Sequence, residues 1–199
     1  MIRLIVQYTD LHIGAPHQIV ENTEKIKEEF LKYEDDPEVL VICTGDIVDN
    51  KNVEKSKVKK YASMRDELKE LMGKYYIFGN HETEAAPFYE IHEDVIWMHY
   101  HVKDWCNAFE KKCEKVIKWE TKKEGMNAWK YFFYRFKHLV ISKGKIWHPS
   151  DKDVLDLVKY AKKHKCKAIL TGHKHKMYDR VHDGVRVING GRGRTEYIF

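Results

Sequence analysis

Apolar and polar positions fall in blocks along the chain. Residues 2–8, 39–43, 75–78, 139–142, 168–171 and 185–188 are short, nearly continuous runs rich in Val, Ile and Leu. Runs of that length without a period of two predict strands covered on both faces. Between them, apolar residues recur at helical spacing: Ile19, Ile26, Phe30 and Leu31, then Tyr61, Met64, Leu68 and Leu71, then Leu155, Val158 and Ala161. That spacing predicts amphipathic helices. Ser150 and Asp153 form a capping-box pattern ahead of the last one. Strands alternating with helices predict a layered α/β fold. The rhythm breaks over residues 87–131, a stretch rich in Trp, Lys and Glu. There Trp105, Phe109, Cys113 and Val116 keep helical spacing and Gly125 supplies a stop. The stretch reads as a helical insertion or lid on a single domain spanning 1–199.

Composition narrows the class. Of 199 residues, 43% are hydrophobic and 34% charged, which suits one globular domain with a sizeable core. Thirty-six basic against 31 acidic residues leave a formal charge of +5. Such a balance is compatible with a polyanionic partner and equally with ordinary solubility charge. Cys43, Cys106, Cys113 and Cys166 are scattered without a C-x-x-C, which points to a reducing, cytoplasmic setting. The opening run is broken by Gln7 and Asp10. It is too short to span a membrane and lacks a secretory cleavage site, so no membrane role is expected.

The chemistry-bearing residues gather just past the expected strands. "TDLHIG" brings Asp10 and His12, "TGDIVDN" Asp46 and Asp49, "FGNHET" Asn80, His81 and Glu82, and "TGHKHK" His173 and His175. Open α/β sheets collect ligands at the carboxyl ends of their strands, so these distant loops can converge. Asp, His and Asn form a mixed oxygen and nitrogen donor set without thiolate. That set favours Mn, Fe or Zn, and the imidazoles argue against Ca. The carboxylate of Asp46 can bridge two ions, and an imidazole that binds none, such as His81, can protonate a leaving oxygen.

These residues resemble the motifs of the calcineurin-like metallophosphoesterase superfamily. Its D-x-H, G-D-x-x-D, G-N-H-[DE] and G-H-x-H stand here as Asp10-Leu11-His12, Gly45-Asp46-Ile47-Val48-Asp49, Gly79-Asn80-His81-Glu82 and Gly172-His173-Lys174-His175. The chain end, "DGVRVINGGRG", is similar to the strand and Gly-rich turn that close the small phosphodiesterase branch. The resemblance implies a two-sheet α/β sandwich with helices outside and a di-metal site at one edge. It implies two divalent ions, Mn first, with Fe, Zn or Ni as alternatives. Asp10, His12, Asp46 and His175 would hold one, and Asp46, Asn80 and His173 the other. His81 would act on the phosphate, and Asp49 would support the ligands.

One family ligand has no counterpart in place. The branch carries a strand-end H-G-H between G-N-H-[DE] and G-H-x-H, and the stretch taken as its equivalent reads "LVISKGKIWHP". Lys143 and Lys145 fall where the histidines are expected, with His148 a few residues on. Three readings stay open. His148 is the ligand; or Lys143 occupies the position, weakening the second ion or contacting substrate phosphate; or the chain was altered from a histidine at 143. His17, His92, His99, His101, His138, His164 and His182 match no motif and read as structural or solvent-exposed.

The opening "TDLHIG" is also close to that of DNA-repair nucleases of the superfamily. Trp97, Trp105, Lys111, Lys112, Trp119, Lys122, Lys123, Trp129, Lys130 and Tyr131 interleave aromatic and basic groups that could stack bases and hold a phosphate backbone. Arg192 and Arg194, in the Gly-rich turn, could bind anions. The expected activity is metal-dependent phosphodiester hydrolysis on nucleotides or nucleic acid. A phosphomonoesterase and a non-catalytic scaffold with a crippled second metal site are the alternatives. Oligomeric state is not written in the sequence.

Overall fold

The computed structural model describes residues 1–16, 18, 22–79, 81, 82, 89–99, 125, 127, 129, 130, 132 and 150–199. Within them the strands are β1 (Leu4–Thr9), β2 (Val39–Thr44), β3 (Tyr76–Ile77), β4 (Glu90–His92), β5 (Val95–Met98), β6 (Ala168–Thr171), β7 (Met177–His182), β8 (Val185–Gly190) and β9 (Gly193–Ile198). The helices are α1 (Glu24–Tyr33), α2 (Val58–Met72) and α3 (Asp151–Lys163). Two mixed sheets form, in the orders β3-β2-β1-β9 and β4-β5-β6-β8-β7.

Side-chain alternation sorts the core into layers. Ile5, Leu40, Ile42, Val95, Trp97, Ala168, Leu170 and Ile188 point between the sheets and form one buried cluster. The opposite faces of β1 and β2, with Val6, Val41 and Cys43, join Ile26 of α1 and Leu68 and Met72 of α2. Ile96, Met98, Ile169 and Val187 pack on Val154, Leu157, Val158 and Ala161 of α3. Each sheet is thus covered on both faces, which is why β1, β2, β5 and β6 are apolar without a period of two. The result is an α/β sandwich with helices outside.

The structure departs from the sequence pattern at two points and keeps it at a third. The capping box is present, with Ser150 and Asp153 satisfying one another's orphan groups at the start of α3. Leu155, however, is exposed, and Val154 and Leu157 join the expected Val158 and Ala161 on the buried face. Residues 90–98, read as part of a helical insertion, are the β4–β5 hairpin of the second sheet, turned at Glu93-Asp94. The run Val95–Met98 favours the sheet because β5 pairs in parallel with β6 and buries Trp97 between the layers. The expected strand at 139–142 lies outside the described residues. Among the described residues no helix is long and apolar enough to cross a membrane.

Strand direction places the chemistry. β1, β2 and β3 run parallel to one another, as do β5, β6 and β8. Their carboxyl ends therefore open on one edge of the sandwich. Under that edge lies a polar floor joining the sheets. Gln7 Nε2 donates to Thr44 Oγ1 at 2.7 Å and to the Thr171 carbonyl at 3.0 Å.

Candidate metal centre

Asp10 follows β1, Asp46 follows β2, His81 lies just beyond β3, His99 follows β5, His173 and His175 follow β6, and Arg192 follows β8. Among the described residues three groups of potential donors result: Asp10, His12 and His175; Asp46, His99 and His173; and His12, Asp49 and His81. In each, the ligand atoms lie within 4.8 Å of one another.

In the first group His12 Nε2 and His175 Nε2 face each other at 3.4 Å. Asp10 Oδ1 lies 3.2 Å from His175 Nε2 and 4.0 Å from His12 Nε2. This oxygen is buried and accepts no hydrogen bond among the described residues. Its sister Oδ2 is held by Thr9 Oγ1 at 2.5 Å and by the His173 amide at 2.9 Å. His12 turns Nδ1 to the Asp49 carboxylate at 3.2 Å, which places the Nδ1 proton there and the Nε2 lone pair toward Asp10. An orphaned buried oxygen facing two imidazole nitrogens fits a divalent cation, because each unsatisfied lone pair otherwise carries a desolvation penalty.

The second group is built alike. His99 donates Nδ1–H to the Thr44 carbonyl at 2.7 Å and presents Nε2 to Asp46 Oδ2 at 3.3 Å. The His99 and His173 rings meet edge-on, centroids 5.3 Å apart. Asp46 Oδ1 accepts the His81 amide at 2.7 Å. His99, expected to be structural or solvent-exposed, instead stands with Asp46 and His173: β5 lies beside β6 in parallel register, so its end delivers His99 next to His173. The readable signal was "MHYHV", an H-x-H directly past an apolar run. Asn80, His101, Lys143 and His148 lie outside the described residues.

The backbone is strained where it presents these groups. Asp10 (φ 52°), His12 (53°), Asp46 (53°), His173 (73°) and His175 (43°) all occupy the left-handed region. Non-glycine residues there cost of order 1–3 kcal/mol each and persist only where the surroundings dictate them. Glu82 is one source of that constraint. Its Oε2 accepts from the Asp46 amide at 3.0 Å and the Gly79 amide at 2.7 Å, while Oε1 accepts from the Val48 amide at 3.1 Å and from the Tyr76 hydroxyl. Arg65 clamps the Glu82 carbonyl at 2.7 Å. Burial and then Asp46 push the Glu82 carboxyl up to about 7, held back by the Tyr76 and backbone hydrogen bonds. The sequence marks Glu82 as the end of G-N-H-[DE] without showing this task.

His81 stands beside the first two groups and shares the third with His12 and Asp49. Its Nδ1 meets Asp49 Oδ2 at 2.8 Å, and 23% of its side chain is exposed. Burial pulls its pKa down, but Asp49 and Asp46 outweigh burial and raise it to about 9. In His99, burial is likewise outweighed by Asp46, and its pKa is raised to about 9. Burial raises the Asp46 carboxyl, but the facing imidazoles of His99 and His81 hold it well below the usual range. Arg192 Nε donates to the Asp10 carbonyl at 3.4 Å, so its guanidinium borders the first group. Arg194 instead pairs with Glu29 and Glu196.

A model of the calcineurin-like phosphoesterase family matches residues 3–177. No curated protein matches the sequence. Among solved structures, a Thermotoga maritima protein covers 100% of this chain and 92% of its own at 15% identity, with a TM-score of 0.49. A conserved uncharacterized protein of Streptococcus pneumoniae, described as a predicted phosphoesterase, covers 96% and 72% at 15% identity and TM-score 0.46. Vacuolar Protein Sorting 29 from Cryptosporidium parvum covers 96% and 74% at 17% identity and TM-score 0.46.

Proposed function

Since the chain belongs to the calcineurin-like phosphoesterase family, we propose that it is a cytoplasmic, two-metal phosphodiesterase, with Mn the first choice of ion and nucleotides or nucleic acid as substrate. The observation that carries the reading is the pair of groups Asp10/His12/His175 and Asp46/His99/His173, with the imidazole of His81 next to them on the Asp49 carboxylate. Asp10, His12 and His175 would hold one ion, and Asp46, His99 and His173 the other, with Asn80 as the further ligand the family resemblance implies. Such ions would supply Lewis acidity and lower the pKa of water for attack on phosphorus. His81 keeps Nδ1 on Asp49 and offers Nε2 to the leaving oxygen. As an imidazolium it can donate a proton, worth on the order of 10²–10⁴-fold in rate.

The substrate class rests on charge at the rim. Lys174 and Lys176 flank His175 in sequence, Arg192 borders Asp10, and Lys51 is near enough to His81 to oppose its protonation. A cationic rim favours a polyanion that continues past the scissile phosphate. His99 also bears on the scaffold alternative. That reading rested on a missing histidine in the second group, and His99 supplies an imidazole there.

The test compares bis(p-nitrophenyl) phosphate with p-nitrophenyl phosphate in Mn²⁺, followed by single-stranded DNA and a dinucleotide. Faster bis-ester turnover, abolished in Asp46→Ala, is expected. Turnover of the mono-ester alone would make the protein a phosphomonoesterase. Two bound ions without turnover of any ester would make it a scaffold.

A further inference from the structure

Asp49 Oδ2 is the meeting point of three nitrogens. His12 Nδ1 lies 3.2 Å away, His81 Nδ1 2.8 Å and Asn52 Nδ2 3.0 Å. Its other oxygen accepts the Asn52 amide at 2.6 Å and the Lys51 amide at 3.0 Å. Asn52 thus grips both oxygens of one carboxylate, by backbone and by side chain. The same side-chain nitrogen lies 2.8 Å from His81 Nδ1; with both nitrogens donating to Asp49 Oδ2, this contact is steric and not a hydrogen bond. Asn52 is 8% exposed, and Asp49 is fully buried.

We propose that Asn52 is a positioning residue for His81. It fixes the Asp49 carboxylate in the plane that receives His81 Nδ1–H, and its amide blocks rotation of the ring on that side. The imidazole is then held with Nε2 toward the substrate. His12 holds the remaining approach to the same oxygen, so the anchor of a metal ligand and the anchor of the proton donor are one atom, and Asn52 sets its direction. Without the Asn52 side chain, the carboxylate keeps its two backbone donors but loses the lateral restraint. His81 can then turn while His12 stays in place. A 1 Å misplacement of a catalytic group is enough to cost on the order of 10²-fold.

The inference rests on His81 as proton donor, and two measurements separate it from that reading. The first is steady-state kinetics of Asn52→Ala on a nitrophenyl diester and on a dinucleotide, whose alkoxide leaving group needs a proton. The expected result is a loss of about 10–100-fold in kcat on the dinucleotide, an unchanged KM, little change on the nitrophenyl ester, and no further loss when combined with His81→Ala. Equal losses on both esters, additive losses, or no loss would overturn it. The second is the ring Nδ1–H proton signal of His81 in the Zn²⁺-loaded protein, assigned by its disappearance in His81→Ala. It is expected in the parent and lost in Asn52→Ala at equal zinc content and melting temperature; its persistence would overturn the inference even if no ester is turned over. Asn52→Ser repeats both measurements should the alanine variant fail to fold.

Discussion

Gly79→Ala isolates the geometry of the second ion group. A Cβ at Gly79 would lie 2.1 Å from Asp46 Oδ1 and 2.4 Å from the Asp46 amide nitrogen. Ordinary contact begins at 3.4 Å, so the carboxylate has to retreat by more than 1 Å. Metal–ligand bonds tolerate only about 0.2 Å. The Asp46 amide cannot yield easily, because Glu82 holds it at 3.0 Å, and Gly79 itself donates to the same Glu82 oxygen. The expected cost is about 1–3 kcal/mol of stability from overpacking and on the order of 10²-fold in affinity for the second ion. Titration calorimetry with Mn²⁺ and a thermal melt read these two quantities. Gly184→Ala is the control: its backbone has φ +78°, but a Cβ there meets nothing within 4 Å, so it costs folding energy without touching the ions. Two ions bound by Gly79→Ala with parental affinity would refute the placement of Asp46.

Glu82→Gln should destabilise the fold by about 2 kcal/mol in urea titrations, because the amide group turns a donor toward a buried backbone N–H that the carboxylate had satisfied; a change under about 0.5 kcal/mol contradicts it. The metal-free protein should lose stability as pH rises from about 5 to 9. Glu82, His81 and His99 all have folded pKa values above their ordinary ones, so their contribution is full at low pH and is lost as pH passes about 7 and about 9. A melting temperature that rises over that window would contradict the sign. For the same reason Mn²⁺ affinity should climb by up to about tenfold per pH unit between 6.5 and 8.5 as His99 gives up its proton; a flat profile by calorimetry counts against His99 as a ligand. Leu157→Ala, fully within the α3 core, should cost about 2–5 kcal/mol while leaving ion stoichiometry unchanged.

Much of this arrangement is legible in the sequence, for identifiable reasons. β1, β2, β6 and β8 are buried on both faces, so their apolar runs are continuous and their ends, where Asp10, Asp46 and His173 stand, are readable. The α3 start is readable because a capping box is a local device of four residues. β7 was not anticipated. It is a sheet edge whose residues are largely exposed, so Asp179 and Arg180 interrupt any burial pattern. His99 escaped for another reason. β5 has four residues, sits after Glu93-Asp94, and gains its identity from parallel pairing with β6, about seventy positions away. A histidine at the end of an unrecognised strand looks like any other. Asn52 stands outside every motif, and Glu82, although the last position of G-N-H-[DE], shows no task in the sequence, since what each does depends on which carboxylate or amide the fold brings beside it.

The central claim is that two Asp/His groups at one edge of the sandwich hold two ions, with His99 completing the second. The direct measurement is a crystal structure of the protein grown with Mn²⁺, with anomalous difference density collected near the Mn edge. Two peaks are expected, one within about 2.0–2.3 Å of Asp10, His12 and His175, the other at the same range from Asp46, His99 and His173. A single peak, or a second peak out of reach of His99, would contradict the account.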